Sequence, residues 1–126
     1  MRLNPNSTKV DALAIAPYFG AEVIDAALEK DEIGSITIDK ILDRAENTIT
    51  EDVVDPNDSW NVNKGTLTEI MENIEIANRH GVKLIAYEGG QHLVSYGGSD
   101  DTVEAKILEA NRHERMYDLY KKLLDI

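Results

Sequence analysis

Two short apolar runs set what this chain can fold into. Val10-Asp11-Ala12-Leu13-Ala14-Ile15-Ala16 stops at Pro17-Tyr18-Phe19-Gly20, and Val82-Lys83-Leu84-Ile85-Ala86 stops at Tyr87-Glu88-Gly89-Gly90. Each has the length of a strand. Each ends in residues that stop one, because proline offers no N–H to a ladder and glycine favours turns. The residues between them have a helical period. Over 21–30, Val23, Ile24, Ala27 and Leu28 recur on one helical face. Gly34 breaks that pattern, and Ser35 or Thr37 can cap a second helix carrying Ile38, Ile41, Leu42 and Ala45. Thr66-Leu67-Thr68-Glu69 fits a capping box, with Glu69 reaching back to the Thr66 amide. The helix it opens would bury Leu67, Ile70, Met71, Ile74 and Ala77 and end at His80-Gly81, with the glycine left-handed. Two further helical segments, over 103–110 and 112–124, close the chain, the second placing Met116, Leu119, Tyr120 and Leu123 along one side. The order strand, helices, strand, helices predicts an α/β unit of parallel strands joined by helical crossovers.

Two strands do not make a stable parallel sheet with both faces covered. Segment 48–63 is polar, contains Pro56 and reads as a loop with an irregular turn; its Trp60 is the only tryptophan and reads as a hydrophobic anchor before a sugar platform. Either strands are hidden in segments with a loop-like sequence, or another chain completes the sheet.

Composition narrows the function. The 126 residues suit a single domain, 1–126. Cysteine is absent, so disulfides and thiolate zinc sites are excluded. No apolar run approaches the roughly 20 residues of a membrane helix, and the polar opening over 1–9 has neither signal nor transit character. The net charge of −11 repels phosphates and anionic lipid, so neither nucleic acid nor membrane is expected as a partner. Neutral, polar ligands such as sugars suit this surface better. Arg112, Arg115, Lys121 and Lys122 are interleaved with Glu114, Asp118 and Asp125 and read as an ion-paired helix face. His80, His92 and His113 lack metal-ligand spacing, and Gly97-Gly98 is followed by no phosphate-loop lysine. No cofactor and no metal is expected.

The block Tyr87-Glu88-Gly89-Gly90-Gln91-His92-Leu93 sits at the carboxyl end of a strand, where ligands bind in α/β proteins. Together with Asp11-Ala12-Leu13-Ala14-Ile15-Ala16-Pro17-Tyr18-Phe19-Gly20 and Arg115-Met116-Tyr117-Asp118-Leu119-Tyr120, it resembles the later part of glycoside-hydrolase-like (β/α)8 barrels. The similarity is to the retaining clan with two catalytic glutamates, and it spans roughly residues 10–124. It implies that the two strands correspond to strands 6 and 7 of the barrel, and the whole chain to the part from strand 6 to helix 8. Glu88 then stands at the nucleophile position, Tyr18 at an aromatic hydroxyl that hydrogen-bonds it, and Gln91 and His92 as substrate-binding groups. It also implies an acid/base glutamate on strand 4, for which this chain has no counterpart; Glu22 and Asp100 are the in-chain candidates for that role, without a motif behind either. A complete barrel takes about 250 residues, so the chain corresponds to about half of one. The alternative is a non-catalytic remnant acting as a binding or interaction domain.

The fold class expected is therefore α/β, a partial (β/α) barrel-like unit completed by oligomerisation, because half a barrel exposes strand edges and apolar surface. A two-fold homodimer is the simplest form. Light scattering across micromolar concentrations should give a mass above that of one chain, and a monodisperse monomer would overturn the expectation.

Overall fold

The computed structural model describes residues 9–54 and 62–126. In chain order the elements are β1 (Ala12–Ile15), β2 (Tyr18–Phe19), α1 (Val23–Glu29), α2 (Ile38–Thr50), β3 (Val53–Val54), β4 (Val62–Asn63), α3 (Thr66–His80), β5 (Lys83–Ala86), β6 (Gly90–Gln91), α4 (Asp101–Arg112) and α5 (Arg115–Leu124). β1 pairs with β5 and β2 with β6, both parallel, while β3 and β4 form an antiparallel pair. The α/β character and the parallel pairing of the two long-range runs agree with the sequence. Among the described residues the strands form three two-stranded sheets and no closed barrel. The pair β3 and β4 lies inside the segment read as loop, and α2 also runs into that segment, as far as Thr50. Trp60 and Pro56 fall outside the described residues.

The core is built by helices. Ile41, Leu42, Ala45 and Ile49 of α2 are fully buried, and α2 packs against α1, α3, α4, α5 and β2. Val23, Ile24 and Ala27 of α1 join them, with Val103 and Ala110 of α4 and Met116 and Leu119 of α5. Phe19 is the strand residue in this cluster, and Leu93 enters it from the loop after β6. β1 and β5 lie at its margin, with Ile85 half exposed at 49%. The expected burial of α3 is met at Ala77 only; Met71 and Ile74 are exposed at 57% and 41%, and Leu67 and Ile70 are half-buried. The apolar periodicity of α3 is that of an inward face, but α2, β1 and β5, against which it packs, leave Met71 and Ile74 exposed.

The helix ends follow local chemistry. The Thr37 hydroxyl accepts from the Lys40 amide at 3.2 Å and caps α2, which decides between Ser35 and Thr37. α3 ends on Gly81 in the left-handed conformation (φ 65°), and the Val82 amide donates back to the Ala77 carbonyl at 3.0 Å. Its start departs from the capping box. Gly65 is the N-cap, and the Gly65 amide donates to the Asp52 carboxylate at 2.7 Å. That bond, with one from Thr68, holds the Asp52 carboxyl below its ordinary range. Thr66 is thereby free for a longer-range task.

Ion pairs fasten α5 to α2. Arg115 reaches Asp39 at 2.9 Å and Asp43 at 2.7 Å, and Lys122 reaches Glu46 at 3.1 Å. Arg115 and Lys122 thus pair across helices rather than with the acids interleaved on their own. Each such exposed pair contributes at most about 1 kcal/mol, so they orient α5 more than they stabilise it.

Thr66 is 2% exposed. Its hydroxyl lies 2.6 Å from the Tyr18 carbonyl, to which it donates, and 3.3 Å from the Thr48 carbonyl. Thr66→Val keeps the shape and removes the donor. It should lower stability by about 1–3 kcal/mol in urea unfolding, the cost of unsatisfied buried carbonyls, while Thr66→Ser should recover part of that loss.

Candidate functional site

The site grows out of a defect in the parallel pairing. Ile15 faces Ala86 in the first sheet, and Tyr18 faces Gly90 in the second. Between these pairs, Ala16-Pro17 on one strand is matched by Tyr87-Glu88-Gly89 on the other, one residue more. Pro17 has no N–H, so it cannot continue the ladder. The Tyr87 amide donates to the Ile15 carbonyl at 3.0 Å, the Gly90 amide to the Pro17 carbonyl at 3.1 Å, and the His92 amide to the Phe19 carbonyl at 2.8 Å. The extra residue is taken up as a bulge, a device that re-aims side chains. Glu88 is at its centre.

The two glycines that follow Glu88 do different work. A Cβ on Gly89 would lie 2.8 Å from the Pro17 carbonyl oxygen, so this position needs the close approach of two backbones. Gly90 has φ 118°, and a Cβ there would lie 2.7 Å from the Tyr120 ring. Tyr120 thus packs directly on the backbone of β6; its hydroxyl accepts from the Gln91 amide at 3.2 Å, and its ring meets Phe19 edge-on at 5.7 Å.

The Tyr18 hydroxyl donates to Oε1 of Glu88 across the bulge. Tyr18 is half-buried and Glu88 exposed. The bond to the carboxylate, followed by partial burial and the nearby negative charge, pushes the Tyr18 pKa up to about 12. The phenol therefore stays a donor throughout the ordinary pH range, and the carboxylate keeps one fixed partner. The His92 ring lies beside that of Tyr18, with centroids 4.8 Å apart and planes inclined by 31°. His92 Nε2 is 2.8 Å from the Tyr96 hydroxyl.

Of the residues singled out from the sequence, Glu88, Tyr18 and His92 come together, with Tyr18 touching both of the others. Gln91 lies in the same strand end, but its side-chain oxygen accepts from the Leu93 amide at 2.7 Å and so serves the turn. Asp100 caps α4, accepting from the Val103 amide at 2.9 Å. Glu22 stands at the N-cap of α1 and its side chain does not cap the helix. Tyr96, Tyr120 and Thr66 take part without having been singled out for the site. Tyr120 carried the signal of a core helix position and belonged to the C-terminal block of the resemblance, with no site role attached, and Tyr96 follows His92 by four residues in a loop without periodicity. Among the described residues no three histidine or carboxylate side chains are grouped to hold a metal ion, and no helix is long and apolar enough to cross a membrane.

The pairing of Tyr18 with Glu88 has a pH signature. Its folded-state pKa lies above the ordinary 10.0, so the bond adds stability fully below about pH 10 and loses it as the pH rises through about 12. Tyrosine-ring NMR on Tyr18 should show ionisation near 12, and Glu88→Gln should bring it back toward 10. An unchanged midpoint in that variant would mean that the carboxylate is not the cause.

Comparison with known proteins finds no matching family model, no matching curated protein and no matching solved structure.

Proposed function

We propose that this chain carries the nucleophile side of a retaining glycoside hydrolase site, with Glu88 as the nucleophile and Tyr18 and His92 beside it. The observation that supports this reading is the hydrogen bond from the Tyr18 hydroxyl to the Glu88 carboxylate. The residues were paired in these roles by resemblance, and they come from strand ends far apart in sequence. The surface charge of −11 agrees with a neutral substrate. In this reading the finer architecture is a barrel-like half-unit resembling the end of a glycosidase barrel. A partner chain covers the exposed side chains of Met71, Ile74, Ile76 and Ile85 and supplies the acid/base carboxyl.

The chemistry assigns each atom a place. A Glu88 carboxylate oxygen attacks the anomeric carbon, and a glycosyl ester forms as the glycosidic C–O bond breaks. The departing oxygen leaves with the bonding electron pair and takes a proton from the acid/base, which in such pairs sits about 5–5.5 Å from the nucleophile. Water then cleaves the ester and returns the carboxylate. Tyr18 holds Glu88 in one orientation and does not exchange a proton with it, since its own pKa is too high.

A leaving group of low basicity needs no acid, so the nucleophile can be tested in the chain alone. Incubation with a panel of dinitrophenyl 2-deoxy-2-fluoroglycosides should add one glycosyl mass, mapped by peptide mass spectrometry to Glu88. Glu88→Gln should abolish the adduct, and Tyr18→Phe should slow it by about tenfold, the order of one charge-assisted hydrogen bond. Absence of any adduct on the unmodified protein across the panel would overturn the nucleophile assignment.

A further inference from the structure

We propose that Tyr96 forms the wall of a second sugar subsite, so that the site takes a neutral oligosaccharide rather than a single sugar unit; this rests on the glycoside reading of the Glu88 site. Three rings succeed one another from the Glu88 carboxylate. Tyr18 hydrogen-bonds it, His92 lies 4.8 Å from Tyr18 at 31°, and Tyr96 lies 6.3 Å from His92 at 43°. The last ring in the row is 73% exposed. Its surroundings nevertheless fix it. The Asp25 carboxylate on α1 accepts from the Tyr96 amide at 3.0 Å and from the Gly97 amide at 3.2 Å, while the Ser95 hydroxyl, 3.2 Å away, donates to the Gly98 carbonyl. The Tyr96 hydroxyl is tied at the other end to His92 at 2.8 Å.

Burial does not account for this anchoring, because the ring contributes little to the core. A ligand does. An aromatic face is negative and attracts the polarised C–H groups on the face of a pyranose. A ring already fixed in place loses little conformational freedom when a ligand covers it. Tyr96 also lines an open cleft of about 500 Å³ with Asp25, Leu28, Glu29 and Gly97. The cleft continues the surface past Tyr96 and offers the Glu29 carboxylate as an acceptor for sugar hydroxyls. A net charge of −11 disfavours an anionic chain there.

The probes are neutral saccharides from one to six units, covering the common hexoses and pentoses in both anomeric linkages. An array identifies the best binder, and calorimetry then compares it with its own monosaccharide. The oligosaccharide should bind about tenfold tighter or more. Tyr96→Ala should remove that advantage, while Tyr96→Phe, which keeps the ring, should retain it within about threefold. Equal affinity for one unit and several in the unmodified protein overturns the second subsite, whatever the variants do, and so does an advantage that survives Tyr96→Ala. Either result leaves the Glu88 assignment standing. Failure of every saccharide to bind overturns both.

Discussion

A missing amide hydrogen organises this molecule. Pro17 interrupts a parallel ladder that would otherwise run from β1/β5 into β2/β6. The partner strand absorbs the interruption with one additional residue. Glu88 leaves the strand there, and Tyr18 resumes the pairing one position beyond Pro17, close enough to donate to it. With an unbroken ladder, alternation alone would set where these side chains point. The bulge brings a carboxylate and a phenol from opposite strands into contact, and Gly89 lets the backbones come close enough for that.

The scaffold separates this site from the core. Burial is concentrated on α2 and the helices around it, whereas β1 and β5 lie at the edge of the apolar cluster. Two side chains bridge the regions. Phe19 enters the cluster from β2, and Tyr120 leaves α5 to sit on the backbone of β6. The short β2–β6 pair is thus packed by α2 and α5, and the β1–β5 pair by α3. α3 lies against this two-stranded pair, and its apolar residues Met71 and Ile74 stay exposed beside it.

Much of this was legible in the residues. Helix periods located α1, α2, α3 and α5, and Gly81 gave its turn at the end of α3 because left-handed backbone favours that residue. The meeting of Tyr18 with Glu88 was expected from resemblance, not from spacing, since nothing in residues seventy apart encodes a contact. Other features left no local trace. β3 and β4 are two residues each, too short for alternation to show. Thr66 looked like a cap because threonine at a helix start usually is one, but Gly65 holds the cap position, its amide bound by Asp52, and the Thr66 hydroxyl turns to Tyr18 and Thr48. Tyr96 is placed by Asp25, a tertiary partner on another element.

The two threonines have a mechanical consequence. Thr48 accepts from the Gly20 amide at 2.7 Å and donates to the Ala45 carbonyl at 2.7 Å, while Thr66 donates to the Tyr18 carbonyl. The segment bearing the phenol is thus riveted on both sides of Phe19, to α2 through Thr48 and to the start of α3 through Thr66. The carboxylate has no such rivets; it stands on a bulge, exposed, steadied by strand pairing and by the phenol itself. Anchorage therefore runs one way across the pair: the phenol is the fixed member, and the exposed carboxylate takes its orientation from it.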